Sequence, residues 1–125
     1  MNILLDTHLL IWAVSAPDKL SPLARQLIGE AGRIHVSAAS IWEIGIKTGL
    51  GKLSLDLDRL LRKLREMGVE ELPVRWEHSR LVRELPPYHR DPFDRLLVAQ
   101  AISEPLILLT HDAVLPQYHG VVRLV

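Results

Sequence analysis

Residues 2–14, NILLDTHLLIWAV, decide the fold that this sequence predicts. Residues 2–5 form an apolar run that ends at the acid Asp6, as is typical of a parallel strand buried on both faces. The residues after Asp6 have the apolar pattern of a helix. A strand that leads directly into a helix is the opening of a fold in which parallel strands and helices alternate.

The rest of the chain repeats this alternation. Further strands are predicted at the segments RIHVS, VEELPV, LILLT and VVRLV, which begin at residues 33, 69, 106 and 121. Helices are predicted between them, one of which begins at Ser21 with Pro22 in its first turn. The order predicts an α/β fold, a three-layer α/β/α sandwich with a central, mostly parallel sheet of about five strands. In such sheets, ligands bind at the carboxyl ends of the strands.

Length and composition limit the classes of protein to consider. The 125 residues, 48% of them hydrophobic, predict one domain over residues 1–125. Lys and Arg equal Asp and Glu at 15 each, so a nucleic acid would need a local basic patch or a metal ion. The absence of cysteine excludes disulfides and thiolate metal sites and suits the cytoplasm. The first apolar segment is interrupted by Asp6 and His8, so we expect neither a signal peptide nor a membrane anchor.

Four acids are expected to meet at one edge of the sheet. Asp6 ends the first strand, Asp112 follows the fourth, Glu43 lies among apolar residues of a helix, and Asp94 heads another helix. Converging carboxylates repel one another unless a cation neutralises them, and hard ions such as Mg²⁺ or Mn²⁺ prefer oxygen ligands. The chemistry that follows is metal-assisted hydrolysis of a phosphodiester.

Each acid also has a structural interpretation. Asp6 and Asp112 are suitable helix caps, and Glu43 is placed to pair with a lysine four residues later. In HRDPFD, residues 89–94, capping accounts for Asp91 but less readily for Asp94, because aspartate is a poor capping-box partner. We therefore favour Asp94 for a functional role. Whether Asp91 is only a cap or also contributes to the site stays open.

Four segments resemble, in order and spacing, the motif blocks of the PIN-domain family, specifically its VapC-like toxins: ILLDTHLLIW, SAASIWEIGIKTGLGKL, HRDPFDRLLVAQA and LLTHD. The resemblance runs from about residue 2 to the C-terminus. It implies a PIN-like fold and a metal-dependent ribonuclease, with catalytic, metal-binding acids at Asp6, Glu43, Asp94 and Asp112. Hydroxyl residues beside the first and last acids would be Thr7 and Thr110. It further implies RNA cleavage to a 5′-phosphate and a 3′-hydroxyl, a homodimer, and inhibition by a small antitoxin protein.

Cationic and imidazole side chains near the acids are candidates for substrate contact. We hypothesise that some of five cations contact phosphates, although an ordinary surface role is the more common one for such residues: Arg33, Lys47, Lys52, Arg90 and Arg95. Lys47 and Arg95 are the substrate-positioning candidates among them, together with the two threonines. His89 and His111 are interpreted mainly as loop or capping residues, and no histidine pair has the spacing of a zinc site.

Some apolar features can be interpreted either as part of the core or as interaction surfaces. Trp12, Trp42 and Trp76 are interpreted as core or dimer contacts rather than base-stacking platforms. The amphipathic segments 21–31, with Leu23, Leu27 and Ile28 on one face, and 55–68 either form a groove for an antitoxin helix or cover the sheet.

Two alternative functions are compatible with an α/β chain of this length. A phosphoacceptor signalling domain shares the sheet and the strand-end aspartate, but it needs further acids and a lysine after the last strands. This chain has Ser37, not an acid, at the end of its second strand, and no lysine after Lys63. A catalytically silent PIN-fold binding module is the other alternative, and the four intact acids argue against it.

Overall fold

A computed structural model describes all 125 residues and places five strands in one sheet. The strands are β1 (Asn2–Leu5), β2 (Arg33–Ser37), β3 (Glu70–Leu72), β4 (Ile107–Thr110) and β5 (Val122–Leu124). Their spatial order is β3-β2-β1-β4-β5, and every neighbouring pair is parallel. The predicted central parallel sheet is therefore confirmed.

Six α-helices connect the strands: α1 (Thr7–Ser15), α2 (Pro22–Glu30), α3 (Ala38–Gly49), α4 (Leu57–Glu66), α5 (Trp76–Leu81) and α6 (Pro92–Ser103). As predicted, Ser21 caps α2 by accepting a hydrogen bond from the amide of Ala24. Helix α5 is short: a 3-10 turn at Val82–Glu84 follows it, and the chain is extended at Leu85, before the prolines. None of the helices has both the length and the apolar character needed to cross a membrane.

The core consists of two apolar clusters, one on each face of the sheet. Ile3 and Leu5 of β1 belong to the cluster that contains residues of α1, α2, α3 and α4. Leu4 points to the opposite face and belongs to the cluster that contains residues of α6. Alternate residues of β1 are thus buried on opposite faces, as expected of a strand in the middle layer. This arrangement is the predicted three-layer sandwich.

The apolar faces of α2 and α4 cover the sheet. Leu27 of α2 and Leu60 and Leu64 of α4 belong to the first cluster, which favours this role over an antitoxin groove. The expectation for Leu23 was wrong, because its side chain is 39% exposed. Ala24 and Leu27 are the buried residues of α2. The face of α2 that meets the sheet is therefore centred on these two residues and not on Leu23.

The strand order determines where a site can form. Strands β2 and β3 are added on one side of β1, and strands β4 and β5 on its other side. The direction in which strands are added to the sheet therefore reverses between β1 and β4. Ligands of open parallel sheets bind at such a switch point. The order also argues against a phosphoacceptor domain, since flavodoxin-like domains of that kind have the strand order 2-1-3-4-5.

The tryptophans correct one interpretation of the sequence. Trp42 is 64% exposed and Trp76 is 92% exposed, so neither belongs to the core of this chain. Both are on helix faces directed away from the sheet, which the apolar residues around them in the sequence did not reveal. Trp12 packs against the first apolar cluster and against the ring of His111, with ring centroids 5.0 Å apart. A dimer contact for these residues stays a prediction.

Candidate metal centre

Asp6 lies between β1 and α1, and each of its two carboxylate oxygens accepts hydrogen bonds. Its Oδ1 accepts a hydrogen bond of 2.8 Å from the amide of Leu9, which makes Asp6 the N-cap of α1, as its structural interpretation proposed. Its Oδ2 accepts bonds of 2.7 Å from the Thr110 hydroxyl and 3.3 Å from the His111 amide. A carboxylate offers about four lone pairs, so Asp6 can cap the helix and still bind a cation.

Thr110 holds two of the acids in place, and Thr7 joins α1 to α3. Thr110 Oγ1 donates to Asp6 and accepts a hydrogen bond of 3.0 Å from the amide of Asp112, so one hydroxyl links the first acid to the last. Thr7 Oγ1 donates to the hydroxyl of Ser40 in α3 at 3.0 Å. Both threonines are buried. The contacts of Thr110 favour a role in positioning the acids over direct contact with a substrate, whereas the contact of Thr7 is structural.

Glu43 is a buried carboxylate that is only half satisfied. Its Oε2 accepts a hydrogen bond of 2.8 Å from Nζ of Lys47, the pairing expected from the helical spacing. Its Oε1 is buried and has no hydrogen-bond partner. Burying an acceptor without a partner is costly, and a cation at this oxygen would remove that cost.

Asp91 and Asp94 have different roles at the start of α6. The Asp91 carboxylate accepts hydrogen bonds from the amides of Phe93 and Asp94, at 2.8 and 3.4 Å, and this confirms Asp91 as the cap. The Asp94 carboxylate caps nothing. Its Oδ2 lies 3.6 Å from Nε2 of the His89 ring. The capping function of this motif is therefore carried by Asp91 alone.

His89 contacts two of the acids, which the sequence did not predict. Nε2 lies 2.8 Å from Oδ2 of Asp112. One ring nitrogen of His89, one oxygen of Asp94 and one oxygen of Asp112 all lie within 4.8 Å of one another. Its Nδ1 accepts a hydrogen bond of 3.0 Å from the amide of Asp91. We therefore assign the ring proton to Nε2, which donates to Asp112. A protonated nitrogen cannot bind a metal, so His89 positions Asp112 here.

Burial and like charges perturb the acids. Burial, together with the negative charges of Asp91, Asp6 and Glu43, raises the pKa of Asp94 to about 7 against the opposing effect of His89. Burial also raises the pKa of Asp6. Although burial acts to raise it, hydrogen bonds from the Val114 amide and His89 hold the pKa of Asp112 below its ordinary value. The charges of Asp6 and Glu43 thus act on Asp94, and one oxygen of Asp94 lies within 4.8 Å of one oxygen of Asp112, so Asp94 links the four predicted acids.

The raised pKa of Asp94 predicts how stability depends on pH. Its pKa is about 7 in the folded chain and 3.8 ordinarily, so between these values the folded state holds a proton that the unfolded state has released. In metal-free buffer we therefore expect the free energy of unfolding to fall as the pH rises from about 4 to about 7. Asp94→Asn should make this decline shallower, as measured by chemical denaturation across the range. Equal slopes for the two proteins would contradict the assignment.

The basic residues are distributed differently from the expectation. Arg33 begins β2 and pairs with Glu70, so it lies at the edge opposite the carboxyl ends of the strands, and its proposed contact with the site was wrong. The guanidinium of Arg95 donates to the carbonyl oxygens of Val82, Leu85 and His89 at 3.1, 3.3 and 3.5 Å. These bonds favour a structural role for Arg95, which fixes the segment before α6.

Lys47 and Arg90 are the cations that border the acidic cluster. Both line a cavity of about 350 Å³, together with Glu43, Asp91 and Phe93. The hydrogen bond to Glu43, against the effect of burial, raises the pKa of Lys47, and nearby carboxylates add to the rise. Lys52 lies in the exposed turn after α3. A second cavity of about 250 Å³ is lined by Asp6, His8, Trp12, Asp94, His111 and Asp112. Glu43 thus lines one opening, and Asp6, Asp94 and Asp112 line another.

The residues present fit a hard divalent cation. The unpartnered Oε1 of Glu43 and the repulsion at Asp94 are what a bound cation would relieve. The donors are carboxylate oxygens, because the hydrogen bond at His89 Nδ1 leaves Nε2 protonated. Oxygen donors favour Mg²⁺ or Mn²⁺ over Zn²⁺.

Comparisons with known proteins identify the family and the fold. A family model described as PIN domain matches residues 3–120. Ribonuclease VapC22 of Mycobacterium tuberculosis is 31% identical over 114 residues, which cover 89% of this chain and 87% of that protein. The crystal structure of VapBC2 from Rickettsia felis, bound to a DNA fragment from their promoter, is similar with a TM-score of 0.69 and 19% identity over 98% of both chains. FitAcB from Neisseria gonorrhoeae is similar with a TM-score of 0.60 and 18% identity, over 92% of this chain and 90% of that one.

Proposed function

The chain belongs to the PIN-domain family, and from that premise we propose that it is a metal-dependent endoribonuclease, the toxin of a toxin–antitoxin pair. The observation that carries the proposal is the convergence of Asp6, Glu43, Asp94 and Asp112 from four separate segments into one electrostatic cluster. The buried, unpartnered oxygen of Glu43 adds to it. A cluster of this kind is costly without a cation, so its presence supports a metal-binding function.

The four acids would hold Mg²⁺ or Mn²⁺ through their carboxylate oxygens. When bound, the ion would supply a water nucleophile of lowered pKa and stabilise charge that develops on the phosphodiester. The surrounding residues prepare this arrangement. Thr110 fixes Asp6 relative to Asp112, His89 orients Asp112, and Lys47 orients Glu43. Such preorganisation is what a site for charge stabilisation requires.

The relatives support the rest of the proposal. VapC22 is named a ribonuclease, and the resemblance to VapC-like toxins implies products with a 5′-phosphate and a 3′-hydroxyl. The structurally similar VapBC2 and FitAcB support a cognate antitoxin protein as partner. We also propose that the protein forms a homodimer and acts in the cytoplasm. The cytoplasmic location is proposed because a chain without cysteine suits a reducing compartment. Residues 1–125 would act as one PIN-like nuclease domain.

Cleavage of a labelled single-stranded RNA by the purified protein tests the proposal, with divalent ions first present and then removed. Mapping the 5′ ends of the fragments identifies the cleaved bond. The result expected is cleavage only with the ion.

Arg90 and Arg95 provide a matched pair for testing which cation contacts RNA. The logarithm of the RNA association constant falls linearly with the logarithm of the salt concentration. Arg90→Ala should make this slope less steep by about 0.7, because one phosphate contact on a single strand is lost. Arg95→Ala should leave the slope unchanged and lower the free energy of unfolding by about 1–3 kcal/mol, because its carbonyl acceptors lose their charged donor. Anisotropy of a labelled RNA in chelator measures the slope, and thermal unfolding measures stability. A changed slope for Arg95→Ala alone would reverse the assignment.

A further inference from the structure

His89 is bonded to the segment after β4 by its backbone as well as by its ring. The amide of His89 donates a hydrogen bond of 2.8 Å to the hydroxyl of Tyr118, and its Nε2 donates one of 2.8 Å to Oδ2 of Asp112. Asp112 and Tyr118 both belong to the short segment between β4 and β5. The two hydrogen bonds therefore hold the segment before α6 against the segment that carries Asp112.

Apolar contacts hold the ring of Tyr118 in place. The ring packs against the apolar cluster that contains Leu4, on the α6 side of the sheet. It also meets the ring of Tyr88, with centroids 5.0 Å apart and planes at 51°. The hydroxyl of Tyr118 thus extends from a fixed ring, and it accepts the His89 amide from a fixed position.

The ring of His89 lies between two of the four acids. Its Nδ1 accepts a hydrogen bond of 3.0 Å from the Asp91 amide, and its Nε2 lies 3.6 Å from Oδ2 of Asp94 in addition to the bond to Asp112. Asp94 comes from α6, and Asp112 comes from the segment after β4. A shift of the His89 backbone would move this ring and would change the direction in which the Asp112 carboxylate is held.

Two side chains anchor the backbone at His89. The guanidinium of Arg95 lies 3.5 Å from the His89 carbonyl oxygen, which is long for a hydrogen bond, whereas the Tyr118 hydroxyl lies 2.8 Å from the His89 amide. Arg95 also donates to the carbonyl oxygens of Val82 and Leu85, so its removal would disturb a longer segment. The hydroxyl of Tyr118 is therefore the closer and the more local of the two anchors.

We propose that Tyr118 is a positioning residue of the metal centre, whose hydroxyl fixes His89 and, through His89, orients the carboxylate of Asp112. Groups that orient metal ligands from outside the coordination sphere contribute to metal affinity. The inference rests on the proposed function, because the affinity in question is that of the ion which the four acids would hold. Tyr118 lies outside the segments whose sequence indicated the site.

The test measures binding of Mg²⁺ and of Mn²⁺ to the purified protein by titration calorimetry, without RNA. Tyr118→Phe removes the hydroxyl and keeps the ring. Tyr88→Phe is the matched control, because it removes a hydroxyl from the other ring of the pair and leaves the His89 amide bonded. We expect Tyr118→Phe to weaken ion binding about 3- to 10-fold, the scale of one lost hydrogen bond, and Tyr88→Phe to leave it unchanged.

A double variant shows whether the effect of Tyr118 passes through His89. His89→Ala should weaken ion binding about 10- to 100-fold, because Asp112 loses the group that orients it. Tyr118→Phe should add no further loss in this background, since the residue through which it acts is gone. Saturating ion should restore RNA cleavage by Tyr118→Phe to the wild-type rate. Thermal unfolding in chelator shows whether each variant is folded.

The outcomes separate this inference from the proposed function. Unchanged ion binding by Tyr118→Phe, additive losses in the double variant, or cleavage that saturating ion does not restore would overturn the role of Tyr118 and leave the proposed function intact. Failure of Tyr118→Phe to fold in chelator would also overturn it, because the hydroxyl would then be structural. A wild-type protein that binds neither ion would refute the proposed function and the role of Tyr118 together.

Discussion

Asp94→Asn is expected to reduce RNA cleavage by about 1,000-fold or more while the protein remains folded. The Asp94 carboxylate caps no helix, and its closest ionisable partner is the His89 ring, at 3.6 Å. Its removal therefore costs the fold little and relieves the burial and repulsion that raise its pKa to about 7. Steady-state cleavage of a labelled RNA measures the first effect, and thermal unfolding in chelator measures the second. Melting at or above the wild-type temperature is expected at neutral pH.

Asp91 supplies the matched control for this experiment. Asp91→Ala removes the acceptor for two amides and should lower the free energy of unfolding by about 1 kcal/mol while cleavage persists. Asp91→Asn should preserve both stability and cleavage, since asparagine caps helices about as well as aspartate. If Asp91→Asn loses cleavage and Asp94→Asn keeps it, the two roles must be exchanged.

The two aspartates illustrate what the sequence can predict about this site. The cap at Asp91 follows from local chemistry, because an acid before proline at the start of an apolar helix has few other roles. The positions of Asp6 and Asp112 follow from the alternation of strands and helices, which places both after neighbouring parallel strands. Local pattern and topology were therefore enough to propose the candidate site.

Contacts between distant residues could not be predicted in this way. His89 reaches Asp112 across 23 residues, and Thr110 reaches Asp6 across 104, and nothing in either neighbourhood specifies the partner. The sequence suggested that Arg95 contacts a phosphate, but its guanidinium donates hydrogen bonds to three carbonyl oxygens in the fold. Exposure of Trp42 was missed for a related reason. An apolar stretch indicates a helix that packs, yet which residues face outward depends on the rotation of that helix on the sheet.

Leu23 shows the same limit within one helix. The leucine spacing in α2 is compatible with either of two adjacent faces, and the sheet selects the one with Ala24. A small residue there allows the helix backbone to approach the sheet closely. Packing against neighbours, which a single sequence does not contain, decided between the two faces.

Removal of divalent ions should abolish cleavage, and addition of Mg²⁺ or Mn²⁺ should restore it and stabilise the fold. An ion at 100 times its Kd raises the free energy of unfolding by about 2.7 kcal/mol. The stabilisation should be lost in Asp94→Asn and kept in Asp91→Asn, because Asp94 would bind the ion and Asp91 caps α6. Thermal unfolding reports binding independently of cleavage, so a catalytically silent module would be recognised by stabilisation without RNA products. Full cleavage in chelator would overturn the metal-dependent mechanism, because the clustered carboxylates would then need another source of compensating positive charge.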